Sequence, residues 1–411
     1  MLLEQTFYPI TLAYPYPMWW LAFVFHEMAF GLLSVFLPLY IVSIGGSLVD
    51  FGFMSMFAVL ATIPSSFLWG YACEKEGRYR RYILLSFLSL AIILYLFTLT
   101  VDVKLLTFLY VLLWFFHVAH EPPRNVLIAE FYTREEWEKA FAWYRGFTEI
   151  GLFAGLLAGF FMAVFNFSVV LTLLVCSGLH VLAFALSLVF VWDPLLIIER
   201  RLVTIERSVD LTLKGASALS RLSSGVWMEL KVDNIKAFCI GFTLFSLATN
   251  ILFTPMAIIL SSKLGYVEGM VFALFAANSV GGIIGYFMTM RSYPDINAEK
   301  SVICRVALFR GLLSLLLITS TYVSILRTFV VGIVLFLLGF LYALFAVYTI
   351  ALSMELLPKE KVGAYNAMEG LGRACGSLMG PLIAEKFGFQ QVFLTSGITF
   401  IAAYLAFKVF R

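Results

Sequence analysis

The sequence predicts an all-α polytopic membrane protein with twelve transmembrane helices in two pseudo-symmetric six-helix bundles. Three observations carry that prediction: the bulk composition, the recurrence of apolar runs of spanning length, and a repeat that relates the two halves. Of 411 residues 62% are hydrophobic and only 13% charged, with a mean hydropathy of +0.96, far outside the balance of a water-soluble domain. Apolar runs long enough to cross a hydrocarbon core of ~30 Å as helices fall at 17–42, 50–72, 82–101, 105–129, 139–164, 168–191, 235–260, 266–289, 302–320, 328–353, 363–385 and 389–408. They are continuously apolar rather than alternating, which excludes a transmembrane β-barrel.

The first run is itself of spanning length and lacks a basic leader or a small-residue cleavage site, so it is expected to remain in the mature chain. Lys and Arg set the orientation. With the N-terminus inside, the inner loops hold twenty of these residues and the outer loops four. Both termini are therefore expected in the cytoplasm, and the chain in the cell membrane. The net charge of +3 needs no nucleic acid partner. Five scattered cysteines (Cys73, Cys176, Cys239, Cys304, Cys375) show neither disulfide nor zinc spacing.

The longest non-spanning stretch divides the chain into an N-terminal bundle (1–192), a linker (193–234) and a C-terminal bundle (235–411). Within the linker, Ile198, Leu202, Ile205 and Val209 recur at helical spacing with charges on the other faces. This suits a helix lying on the inner leaflet, and a solvated connector is the other reading. At an offset of 225 residues Glu130, Arg134, Glu135, Gly151 and Gly155 fall on Glu355, Lys359, Glu360, Gly376 and Gly380. Each half thus carries an inner loop that runs into a span with small residues four apart, a pattern that allows close helix packing.

The segment GYACEKEGRYRRYIL between the second and third spans holds Gly70, Glu74, Lys75, Gly77 and Arg78 at the spacing of Gly-x-x-x-Asp-Arg/Lys-x-Gly-Arg, with Glu for Asp. In that loop, and in its span count and repeat, the sequence resembles the major facilitator superfamily. The resemblance implies a secondary transporter working by alternating access, with a charge latch at Glu74 and the neighbouring basic residues. Plain positive-inside topology would also account for those basic residues. The fourth span lacks the arginine expected early in it. The fifth span has the antiporter glycines Gly146, Gly155 and Gly159 but Phe160 in place of proline.

Ionisable residues deep in spans point to the chemistry, since each costs at least ~2.5–3.5 kcal/mol near the bilayer centre unless it is paired or faces water. At 1.5 Å per residue, Glu27, Glu121 and Glu149 lie ~13–15 Å from the inner ends of their helices, and Arg124 and Arg145 ~9 Å. Spacings of three or four residues predict intrahelical pairs Glu121–Arg124, Arg145–Glu149 and Glu369–Arg373, either gating or purely structural. Pro122 and Pro123 predict a kink in the fourth helix with freed carbonyls. All four histidines fall in spans. Glu27, with no Lys or Arg in its own helix, is the expected proton carrier, together with Glu121, His26 and His117; His180 is expected to be a packing residue.

By resemblance, the first, fourth, seventh and tenth helices line the cavity, which assigns His120, Arg124, Asn250, Tyr342 and Tyr348 to substrate. The expected function is a proton-coupled antiporter that exports small amphipathic molecules. It would act as a monomer in the lipid bilayer with no cofactor, no resident metal and no enzymatic activity. Two other readings stand beside it. One is a divalent metal transporter using His117, His120 and Glu121, the other a receptor or lipid-handling protein on the same scaffold.

Overall fold

The computed structural model describes residues 18–131, 137–193, 235–290, 296–320, 327–356 and 362–411. Among them twelve long helices follow the predicted spans: α1 (Trp20–Ser43), α2 (Leu48–Glu76), α3 (Tyr79–Phe97), α4 (Val103–Phe131), α5 (Trp137–Val164), α6 (Val169–Phe190), α7 (Ile235–Lys263), α8 (Glu268–Thr289), α9 (Ile296–Thr319), α10 (Arg327–Leu356), α11 (Val362–Lys386) and α12 (Phe389–Phe410). Eleven are long and apolar enough to cross a membrane. The twelfth, α11, has the length, but Glu369, Arg373 and Glu385 together with its glycines dilute its hydropathy. Apart from Asp193, the expected linker helix lies outside the described residues, as do Arg134, Glu135, Lys359 and Glu360.

Packing follows the small residues. α5 lies along α1 because a Cβ at Gly151 would collide with the carbonyl of Val24, and one at Gly155 with that of Met28. The repeat partners Gly376 and Gly380 on α11 meet the carbonyls of Leu247 and Ile251 on α7 in the same way. The offset found in the sequence is therefore a repeated helix crossing, in which backbones approach closely because no side chain intervenes. α2 packs on α11 and α5 on α8, joining the first six helices to the last six. At the end remote from the termini, α1 touches the Met256–Ile258 turn of α7 and closes that end over an apolar cluster.

Two helices are not uniform. α4 tightens into a 3₁₀ turn at Val118–His120, immediately before Pro122 and Pro123. Proline lacks the N–H that would continue the ladder, and side chains from neighbouring helices take up nearby carbonyls. Ser65 Oγ and Trp69 Nε1 both donate to Phe115 O (2.6 and 2.9 Å), and Ser86 Oγ donates to His117 O (3.3 Å). α7 is interrupted at Pro255 and ends in a π turn, Ile259–Lys263.

The loop between α2 and α3 carries the residues of the expected latch. Gly77 does end α2 in a left-handed conformation (φ 64°), where a Cβ is disfavoured. Gly70, however, has open space around it, so nothing steric requires glycine there. Among the described residues, Glu76 pairs with Arg81 at 3.0 Å and Asp193 reaches the loop from the end of α6. The ion pair is exposed and worth little. Asp193 matters more, because its Oδ1 accepts the Arg80 backbone N–H (2.7 Å) in the first turn of α3, whose own N-cap residue Arg78 makes no capping bond. Arg80 also donates to Leu188 O and lies over Trp192 at 5.4 Å. Asp193→Ala is expected to cost about 0.5–2 kcal/mol, the usual value of a cap, seen as a lowered Tm and faster amide exchange confined to the start of α3.

Candidate functional site

Seven ionisable side chains from four helices meet in the middle of the bundle: Glu27 on α1, Glu121 and Arg124 on α4, Arg145 and Glu149 on α5, and Glu369 and Arg373 on α11. Arg124 is 9% exposed and the others are half-buried. The expected intrahelical pairs are not what holds them. The Arg124 guanidinium donates to Asn125 Oδ1 (3.1 and 3.0 Å) and lies over the Tyr144 ring at 5.5 Å. Glu149 accepts from Ser279 Oγ of α8 (2.8 Å), across the contact between the first and last six helices. None of the three predicted pairs closes to an ion pair among the described residues. Glu149 thus finds its partner on another helix, whereas Arg124 is held by Asn125 beside it on α4 and by the Tyr144 ring of α5.

The charges instead share one field. Glu121 lies within electrostatic reach of Arg124, Arg145 and Arg373. Glu27 is in reach of Arg145 and Arg124, and Glu369 of Arg373 and Arg145. Glu27 has no Lys or Arg in its own helix, but α4 and α5 bring Arg124 and Arg145 within its reach. Three acids and three arginines balance formally, leaving Glu149 as the extra carboxylate with only Arg145 in reach. Arg145 also reaches Tyr286 of α8 and Tyr342 of α10, so the charged layer extends to the other half.

The opposing wall is aromatic. Tyr342 is 43% exposed, whereas Tyr348 is buried with Phe242, Phe245 and Phe345 in the interior of the last six helices, away from the open face of Tyr342. Asn250 donates to Ser246 O (2.9 Å) and accepts from Ser377 Oγ (3.4 Å), tying α7 to α11. Arg310 of α9 went unassigned in the sequence. It is 0% exposed, with Nε and Nη1 lacking any hydrogen-bond partner, and is caged by Phe245, Phe400, Tyr342 and Phe253 at 4.9, 4.9, 5.3 and 5.9 Å. The only hint was an arginine in the middle of a span. Its position against Tyr342 depends on helix packing.

The histidines converge as well. His26 of α1 meets His117 at 5.1 Å, His120 at 4.7 Å and His180 of α6 at 5.2 Å between ring centroids, and His117 meets His120 at 4.8 Å. The 3₁₀ turn of α4 contributes directly, because residues three apart eclipse in that geometry. His180, expected to be a packing residue, is buried beside this cluster with its Nδ1 on the Cys176 carbonyl. Glu121 does not join the group of nearby ligand atoms, which consists of His26, His117 and His120. Four buried imidazole nitrogens lack partners: both of His26, Nδ1 of His117 and Nε2 of His180. Such groups cost about 1–3 kcal/mol each when left unsatisfied.

A helical bundle whose two sets of six helices meet around a charged layer and an aromatic wall has the build of a membrane transporter. The chain matches the family model of the Major Facilitator Superfamily over residues 19–367 and belongs to that superfamily; it is a multi-pass transporter, not an enzyme. Among solved structures it is similar to the nucleoside transporter NupG (TM-score 0.67, 12% identity, 96% of this chain and 98% of that one). It is also similar to the peptide transporter POT in complex with sulfate (TM-score 0.68, 12% identity, 97% and 95%). At that identity the likeness is one of fold. Among curated protein sequences none matches significantly.

Proposed function

We propose that the protein is a proton-coupled secondary transporter that moves small amphipathic molecules by alternating access, as a monomer in the cell membrane with both termini cytoplasmic. The observation that carries this reading is the charged layer, in which three arginines and four carboxylates from both sets of six helices share one field around a half-buried centre. Such a set survives in a membrane only if its members neutralise one another or meet water. Its one unbalanced acid, Glu149, sits on the α5–α8 contact that rocking of the two halves must disturb. A proton is the natural counter-charge for the carboxylate with the fewest arginines around it. Proton binding shifts the equilibrium only by its differential affinity for the two states, and a carboxylate at a moving interface supplies that difference. Glu27 and Glu121 complete the layer as counter-charges to the arginines.

Amphipathic cargo follows from the two walls. Arg145 of the charged layer reaches the half-exposed Tyr342 of α10, and Arg310 waits behind Tyr342 as a cation without an anion. An acidic group on the substrate would be its partner. The outward direction rests on the glycine spacing of the fifth span alone.

Reconstituted vesicles with an imposed pH gradient test this reading against a library of amphipathic compounds. Accumulation that collapses with a protonophore is the expected result, and the absence of gradient-driven flux for every compound would overturn it. Arg310→Met is expected to leave the protein folded, since a buried cation replaced by an apolar side chain is often neutral for stability, and to cut flux of acidic compounds at least about tenfold, the equivalent of one lost charge-assisted hydrogen bond. Equal flux of acidic compounds in that variant would reduce Arg310 to a packing residue.

A further inference from the structure

We propose that the histidine cluster is a resident binding site for a divalent first-row transition-metal ion, held by His26, His117 and His120 and oriented by His180. The chain has four histidines in 411 residues, and all four gather in one place from α1, α4 and α6. One ligand atom from each of His26, His117 and His120 lies within 4.8 Å of the other two. A tetrahedral ion with metal–nitrogen bonds of about 2.0–2.1 Å needs ~3.4 Å between nitrogens, so ring shifts of about 1 Å toward a common centre close the site.

The surroundings fit a metal better than an apolar core. His26 and His180 are 0% exposed, and both nitrogens of His26 and Nε2 of His180 have no partner. A neutral imidazole carries one N–H and one lone pair, so buried rings leave lone pairs with nothing to bind. Two rings already have the supporting partners that metal-bound histidines use to fix their tautomer. His180 Nδ1 sits 2.9 Å from Cys176 O, which makes it the donor and leaves Nε2 as the lone pair. His120 Nδ1 faces Ser86 Oγ at 3.4 Å, leaving Nε2 for the ion. Of the other three rings His180 contacts only His26, so it serves as that ligand's positioning residue.

Three imidazoles without a carboxylate or thiolate suit zinc, nickel or copper rather than magnesium or calcium. His117 is half-buried while the others are fully buried, so it offers the way in and leaves a fourth position open to water. Glu121, close to His117, opposes the charge of Arg124 near the ion. All three ligands belong to α1 and α4 of the first half, so the ion would brace those two helices without bridging parts that move apart. An ion here would take His26, His117 and His120 out of the proton-coupling and substrate roles expected from the sequence, and leaves coupling through Glu149 untouched.

The test uses the full-length protein in detergent, stripped with a chelator and titrated with Zn²⁺, and with Co²⁺ as a spectroscopic probe. One ion per chain, a raised Tm with Zn²⁺ and the absorption of tetrahedral Co²⁺ are expected. His117→Gln and His26→Ala should weaken binding at least about a hundredfold, and His180→Ala about tenfold, within the range seen when an orienting partner is removed. An unchanged metal-free Tm certifies that a variant folds. Should His26→Ala not fold, the half-buried His117→Gln decides the question. No stoichiometric ion in the wild type, or equal affinity in a folded His117→Gln protein, overturns the proposal.

Discussion

Gly155→Val is expected to prevent assembly of the first six helices. The substitution puts a branched side chain where a single Cβ already overlaps the Met28 carbonyl and crowds the Leu32 backbone. Backbone cannot yield as the end of a flexible side chain can, so α1 and α5 must separate along their whole contact. Overpacking a tight core costs about 1–3 kcal/mol and occasionally more. With backbone on both sides of the clash, the upper end of that range applies. The measurement is the yield of monodisperse protein and its Tm in detergent. Gly178→Val is the matched control, a glycine in α6 with nothing within 4 Å. It should fold normally, because the only change there is helix propensity, where valine is better than glycine. Gly380→Val, at the repeat position against Ile251, should reproduce the defect in the other half. A Gly155→Val protein as stable as Gly178→Val would contradict this account of the helix crossing.

Glu149→Gln is expected to abolish accumulation driven by a pH gradient while sparing substrate exchange. Glutamine keeps the shape of the side chain and an oxygen that can still accept from Ser279 Oγ, so the α5–α8 contact persists. What disappears is the ability to take up and release a proton. Around that carboxylate stand Arg145 on its own helix, Glu27 of α1, and Ser279 and Tyr286 of α8. Removing the negative charge leaves the three arginines balanced by Glu27, Glu121 and Glu369. Net flux should fall at least about tenfold, and counterflow between preloaded vesicles should survive, since exchange of one substrate molecule for another moves no proton. Ser279→Ala separates the hydrogen bond from the charge, and is expected to slow transport only a few-fold. Full gradient-driven accumulation by Glu149→Gln would remove this carboxylate from the coupling machinery.

Spans, glycine crossings and the prolines of α4 were legible in the sequence because each is local. A membrane helix satisfies its own backbone hydrogen bonds, so twenty apolar residues declare a span without reference to neighbours. A glycine at a four-residue interval declares one face of one helix, and Pro122 and Pro123 disturb the ladder just upstream wherever they occur. The deep acids and arginines were legible for the same reason: their depth depends only on counting residues from a helix end.

Partners were not legible. Spacing paired Glu121 with Arg124 and Arg145 with Glu149, but the fold laid Arg124 over Tyr144 of α5 and gave Glu149 to Ser279, 130 residues away. Glu27 looked isolated because the arginines that reach it belong to α4 and α5. The cap that Asp193 gives α3 was not legible either, because only the fold brings the end of α6 against the start of α3.

The sequence by itself determined how many helices cross the membrane, where they bend, and that ionisable groups are carried deep into them. The tertiary structure alone decided which of those groups meet: the four histidines in one nest, Arg310 in its aromatic cage, and Glu149 at the seam between the halves. Rotation of each helix about its axis sets those encounters, and rotation is fixed by the packing of small residues against neighbouring backbone, which no single segment encodes.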